Sequence, residues 1–311
     1  LGFFLIYISY NQFTDEEREK VYSYLLDANY AWIALAVTFA FLSHLSRAWR
    51  WNYMLETLGK KPKFITNVMA IGAGYAMNLI IPRSGEISRA AIINRSDHIP
   101  MDKAIGTIIA ERVLDLIILL IITATAILSA GDAIIGFFKD HLESAFAKAD
   151  PVKATLYIAI FLLIIILIIF ISRKLQLFNK VKGFILGMKE GFMTIWTMKK
   201  KWLYFFHTLF IWSMYLVMFY VSIYAIPGIE TIPISAILCA FVAGSFAVAF
   251  TNGGFGAYPY FIAQVLLVFG ISETLGTSFG WILWLSQTML VLVYGLISLL
   301  LLSLRGTVSS K

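Results

Sequence analysis

Two short charged stretches offer the chain's most conspicuous chemistry. Arg83, Glu86 and Arg89 surround or follow the helix-breaking string Pro82-Arg83-Ser84-Gly85, while Glu111, Arg112 and Asp115 interrupt a run that is otherwise apolar. Glu111 and Asp115 are four residues apart, so on a helix they share a face, with Arg112 on the neighbouring one. Two carboxylates so placed repel unless a cation joins them, and the arginines of the first stretch are candidates to do so. Arg47 and Arg50, beside Trp49 and Trp51, close another apolar run. A guanidinium is a planar fork that suits the oxygens of carboxylates and phosphates alike. Two readings follow. The charges either pin an unstable segment through ion pairs, or Arg83, Arg89 and Arg112 hold an anionic, phosphate-bearing lipid headgroup, with Arg47 and Arg50 as further donors. In the second case Glu86, Glu111 and Asp115 orient the forks, or one of them carries a proton.

A second constellation has no charge. Thr251-Asn252-Gly253-Gly254-Phe255-Gly256-Ala257 offers backbone N–H groups, and Asn252, Gly253, Gly254 and Gly256 are its candidate binding residues. Glycines also let helices approach closely in lipid, but irregular backbone at membrane depth must be buried in protein or line a wet cavity. The remaining candidates are weaker. His44, His98, His141 and His207 have no metal-ligand spacing, and the single cysteine, Cys239, sits in an apolar stretch that suits packing. Pro82-Arg83-Ser84-Gly85 with Ser88-Arg89 superficially matches membrane phosphatases, but Glu86 and Arg95 stand where those enzymes need histidines. There is no P-loop, dinucleotide fingerprint or nucleophile elbow in a suitable context, so no catalytic residue, metal or cofactor is expected.

The medium around these groups is set by composition. Hydrophobic residues make up 60% of the 311 and charged residues 14%, with a mean hydropathy of +0.82, against about 45–50% and about 25% in soluble domains. Apolar runs near the roughly 20 residues of a membrane span cover Ala31 to Ser46, Ile105 to Ala130, Ala154 to Ser172, Trp202 to Ile226 and Phe279 to Leu304, and Leu1 to Ser9 supplies half of a further span whose beginning is missing. The net charge of +7 does not point to nucleic acid, because the basic residues stand in short segments beside apolar runs.

Those segments set the topology, since cytoplasmic loops carry excess Lys and Arg. Arg47 to Lys63 holds five, Arg83 to Lys103 four, Arg173 to Lys201 eight and the tail from Arg305 two, which places them and the C-terminus inside. Tyr10 to Leu26, Gly131 to Lys153 and the segments around Glu230 and Glu273 fall outside. Phe64 to Ile81 then lies between two cytoplasmic segments and cannot cross without inverting everything after it. The solution is a re-entrant hairpin that breaks at Pro82 to Gly85 and returns through Glu86 to Ile99. Ile234 to Phe250 and Pro259 to Phe269, joined by the glycine loop, make a second hairpin from the outside. The expected fold is an all-α polytopic membrane protein with about six full spans and two re-entrant helical hairpins in an inverted-repeat arrangement. It is one transmembrane domain with half-repeats of roughly 1–130 and 131–311, including a cytoplasmic interfacial amphipathic segment at 173–200.

Arg47-Ala48-Trp49-Arg50-Trp51, Asn78 with Pro82-Arg83-Ser84-Gly85-Glu86 and Arg89, Glu111-Arg112 with Asp115, and Gly253-Gly254-Phe255-Gly256 together resemble the flippase-like transmembrane domain of lysylphosphatidylglycerol synthases and their free-standing relatives. The resemblance runs over nearly the whole chain and implies movement of lipid across a bilayer, with Asn78 joining the candidate site. These 311 residues contain no cytosolic aminoacyl-transfer domain, so synthase activity is not expected. The family commonly has prolines before Gly-Gly and a glutamate soon after, where this chain reads Thr251-Asn252 and Tyr258-Pro259 with no acid nearby. The expected function is a lipid or lipid-linked-precursor transporter of the cell membrane, with anionic membrane lipids as partners and no nucleic acid; a homodimer is compatible with it. A membrane enzyme or accessory subunit acting on a polyprenyl-phosphate or glycolipid, and a non-transporting scaffold, remain alternatives.

Overall fold

A computed structural model describes residues 2–133, 135–136, 139, 195–229 and 231–308. The described residues form helices and connecting turns, with no strand among them. They build α1 (Gly2–Gln12), α2 (Asp15–Leu26), α3 (Tyr30–Glu56), α4 (Phe64–Ile80), α5 (Gly85–Asp97), α6 (Met101–Ser129), α7 (Lys201–Ser222), α8 (Ile234–Phe250), α9 (Ala257–Val268) and α10 (Glu273–Val308). The expected span Ala154 to Ser172 and nearly all of the amphipathic segment 173–200 lie outside the described residues. Three described helices are long and apolar enough to cross a membrane: Tyr30–Glu56, Lys201–Ala225 and Glu273–Leu304.

The hydrophobic core is divided into two clusters, and their membership gives the helix directions. One gathers Trp51, Met54 and Leu55 of α3, Val68 and Ile71 of α4, Ile93 of α5, Ile99, Ile108 of α6 and Tyr204 of α7. The other gathers Ala36 and Ala40 of α3, Ala126 of α6, Phe219 of α7, Ala236 of α8, Leu266 of α9 and Phe279 of α10. α3 therefore runs from the second cluster to the first, while α6 and α7 run the opposite way. α10 starts in the second cluster and places Tyr294 in the first.

The short helices belong to one cluster each. α4 starts and α5 ends in the first, so the pair turns back on itself; α8 and α9 do the same in the second. At about 1.5 Å per residue, the 17 residues of α4 and the 13 of α5 are each shorter than a bilayer core of about 30 Å. Small residues let the helices touch: a Cβ at Gly85 would collide with the backbone of Gly74 and with Asn78 in the other arm, and one at Gly295 of α10 with Ala76 of α4. Such contacts give helix association in lipid its dispersion energy.

Two sequence expectations change at the helix ends. The hydropathy reading stops the first complete span at Ser46, because Arg47 and Arg50 follow. The structure continues α3 to Glu56, and both arginines are buried at 5% and 0% exposure. Tyr10 to Leu26, read as a connecting segment, contains the helix α2, begun by a capping box in which Thr14 and Glu17 each accept from the other's backbone N–H.

Pairing makes the longer α3 affordable. Arg50 donates from Nη1 and Nη2 to the two oxygens of Asp115 on α6, at 2.7 and 3.0 Å, and from Nε to Glu111 at 3.3 Å. Arg47 reaches the same aspartate at 2.9 Å. Arg89 on α5 donates to Glu111 at 2.9 Å and lies over the Trp51 ring at 4.1 Å, where the π face attracts its charge. Thr208 and Trp212 bring α7 into the same network by accepting from Arg50 and donating to Asp115, respectively. Removing one partner of a buried pair leaves an uncompensated charge that costs about 3–5 kcal/mol, whereas an exposed pair contributes about 0–1 kcal/mol. Asp115→Asn should therefore greatly lower the melting temperature of the purified protein in detergent. Arg112→Gln, which breaks the half-exposed contact with Glu86, should barely change it; equal shifts would contradict this division.

Candidate functional site

The turns of the two hairpins face each other across a cavity of about 570 Å³. Hairpin one contributes Tyr75, Asn78, Pro82, Arg83 and Glu86; hairpin two contributes Val248 to Gly253 and Tyr258. Arg112 of α6 and the stripe Trp284, Gln287, Thr288 and Val291 of α10 complete the wall.

Each turn is fixed by its own sequence. In the first, Ser84 donates its hydroxyl to the carbonyls of Met77 and Ile81, and the Gly85 N–H donates to Asn78 Oδ1 at 2.7 Å. Arg83 is held at φ 62° between them, in a left-handed conformation uncommon for a non-glycine residue. In the second, Thr251 donates to the Ala247 carbonyl and accepts from the Gly254 N–H, while Trp284 Nε1 donates to the Gly253 carbonyl at 2.8 Å. The positive φ angles of Gly253, Gly254 and Gly256 need glycine.

The candidate residues separate into two groups on α6. Glu111 and Asp115 point into the buried network with Arg47, Arg50 and Arg89, and none of these five lines the cavity. Arg112, on the neighbouring face, points into the cavity and donates to Glu86 Oε1 at 2.9 Å. Asn78, Arg83, Glu86, Arg112, Asn252 and Gly253 all line it. Asn78 also latches the first turn through its side-chain oxygen. Gly254 is buried against Tyr258 and Val248, and Gly256 against the start of α1, so these two glycines serve close packing in this structure.

Charge in the cavity is uneven. Arg112 and Glu86 compensate each other, while Arg83 is exposed and has no ion pair among the described residues. The opposite wall has Thr251, Asn252, Gln287 and Thr288 and, among the described residues, no carboxylate or cation. Sequence reasoning missed Tyr75, Tyr258, Trp284, Gln287 and Thr288. The α10 residues had a readable signal, because Trp284, Gln287, Thr288 and Val291 recur at helical spacing within an apolar run. Among the described residues, no group of three or more His, Cys, Asp or Glu is placed to hold a metal ion. Cys239 takes a packing position, its thiol 3.7 Å from the Ala126 carbonyl of α6.

The comparisons with known proteins agree with the motifs. A UPF0104 membrane protein of Methanocaldococcus jannaschii is 29% identical over 108 residues, which is 34% of this chain and 32% of that protein. The chain thus matches only about a third of that relative's length. No solved structure matches. The family profile described as the lysylphosphatidylglycerol synthase TM region covers residues 2–303, so the chain belongs to that family.

Proposed function

We propose that this protein is a lipid or lipid-linked-precursor transporter of the cell membrane that takes an anionic, phosphate-containing headgroup into the cavity between its hairpins. The observation that carries this reading is the Arg83 guanidinium, without an ion pair among the described residues, in a cavity bounded by two hairpin turns and beside Arg112. A guanidinium without a carboxylate partner is available for phosphate oxygens. The rim supports the placement of the tails: Ile80 and Phe250, beside the two turns, are 70% and 79% exposed, which suits contact with acyl chains and not with water. The headgroup is held in the polar interior while its tails stay in the bilayer. Among the described residues of the cavity wall the one carboxylate, Glu86, is already held by Arg112, an arrangement that transport of a headgroup does not disturb.

The helix directions support an inverted repeat. Exchanging α3 with α7, α4 with α8, α5 with α9 and α6 with α10 carries each helix onto one that runs the other way or lies in the opposite cluster. On this reading α3, α6, α7 and α10 cross the bilayer, hairpin one enters from the cytoplasm and hairpin two from outside. Alternating exposure of the central cavity then follows from rocking one half against the other. The cytoplasmic C-terminus and the half-repeats 1–130 and 131–311 belong to this proposal.

Two measurements test it. In proteoliposomes with a fluorescent phosphatidylglycerol, wild-type protein should raise the fraction of probe reached by an external reductant, and Arg83→Gln should slow that exchange about tenfold, the effect of losing about 1.4 kcal/mol of headgroup stabilisation. Exchange that is no faster than in empty liposomes, or is unaffected in Arg83→Gln, would contradict the site. For the hairpin, Lys60→Cys and Ser96→Cys in a Cys239→Ser background should both react with an impermeant maleimide only from the cytoplasmic side, and Glu19→Cys only from outside. Labelling of positions 60 and 96 from opposite sides would mean that α4 and α5 together cross the membrane.

A further inference from the structure

We propose that Glu86 sets the charge of the headgroup the cavity accepts, tuning it to a phosphodiester with one negative charge and an uncharged, hydroxyl-bearing substituent. The inference rests on the cavity being a headgroup site and adds what that site selects. Among the described residues, the cavity wall holds two cations, Arg83 and Arg112, and one anion, Glu86. The 2.9 Å contact between Arg112 Nη2 and Glu86 Oε1 uses one positive charge internally and leaves the charge of Arg83 without a partner among the described residues. The described residues of the wall therefore carry one positive charge in excess.

An excess charge in a site partly withdrawn from water favours the ligand that cancels it. A phosphodiester brings one negative charge and balances the described charges of the wall. A phosphate monoester, at about −1.5 to −2 near pH 7, overshoots and faces Glu86 as a like charge. A zwitterionic headgroup brings no net charge, and its ammonium finds the Glu86 carboxylate already engaged by Arg112. The wall across from the arginines matches the remainder of the headgroup. Asn252 and Thr288 have side chains with no hydrogen-bond partner among the described residues, and both line the cavity. Amide and hydroxyl groups donate and accept, so they suit hydroxyls of a glycerol or a sugar. Glu86 is held in place by its position in the first turn of α5, where a negative charge is favoured by the helix dipole. It acts as an internal counter-anion that occupies Arg112 and thereby removes one unit from the charge the ligand must supply.

The test is native mass spectrometry on the delipidated, full-length protein in detergent, with phosphatidylglycerol, phosphatidic acid and phosphatidylcholine of identical acyl chains at equal concentration. Wild-type protein should retain phosphatidylglycerol about tenfold over either competitor, equivalent to ~1.4 kcal/mol. Glu86→Gln leaves two uncompensated arginines and should reverse the order of phosphatidylglycerol and phosphatidic acid. Arg83→Gln, at an exposed side chain with no ion pair among the described residues, should abolish the advantage of phosphatidylglycerol over phosphatidylcholine. Equal retention of all three lipids by wild-type protein, or an unchanged order in Glu86→Gln, would overturn the charge tuning while leaving a headgroup site standing. Retention of none of the three would overturn the site and the tuning together.

Discussion

Asp115 receives two guanidinium groups from α3, and the rest of the arrangement depends on that pairing. Without it neither Arg47 nor Arg50 could lie at 5% and 0% exposure, and α3 would have to end where the hydropathy does. With it, α3 extends a further ten residues from Arg47 to Glu56 and supplies Trp51, Met54 and Leu55 to the cluster against which hairpin one is packed. Glu111, one turn earlier on α6, reaches Arg89 and ties the returning arm of the hairpin to the same centre. Three arginines against two carboxylates leave a positive excess in this network, which the Trp51 ring face and the Tyr215 hydroxyl partly offset. The pairs are better regarded as a device for fixing which helices meet than as a source of net stability, because desolvation consumes most of the Coulombic gain.

This network explains how one helix can serve two environments. The α-helical period separates Arg112 from Glu111 and Asp115 by about 100° per residue, so the same short stretch carries a closed, protein-facing pair of acids and an open, cavity-facing cation. The rigid side positions the wet side. Asn78 and Ser84 set the first turn and Thr251 sets the second, and both turns converge on Arg112 and the polar stripe of α10. Backbone groups freed by the helix breaks, such as the N–H of Gly85 and of Gly254, are satisfied by these side chains.

Much of this was legible in the sequence. The limits of α8 coincide with the apolar run Ile234 to Phe250, and Pro82 with Gly85 marks the first turn because proline removes a donor and glycine tolerates close approach. The face-sharing of Glu111 and Asp115 follows from their spacing alone. What could not be read was the partner of each charge. Arg47 and Arg83 look alike in a list of basic residues, yet one is buried against an aspartate 68 positions away and the other is exposed at a hairpin turn. Ranking segments by Lys and Arg also hid the continuation of α3, because the rule counts charge without knowing whether it is compensated. Gln287 and Thr288 share a helical face with Trp284 and Val291, which the spacing shows, but only the fold decides that this face borders the cavity.

The central claim is that the space between the hairpins receives a lipid headgroup from the bilayer. The most direct measurement is an experimental structure of the protein in nanodiscs containing phosphatidylglycerol, with density interpreted in the cavity bounded by Arg83, Arg112, Asn252 and Thr288. The account predicts a phosphate within hydrogen-bond distance of Arg83, its tails leaving past Ile80 and Phe250. A cavity sealed from the lipid phase, with ordered lipids confined to the outer surface of the helices, would contradict it.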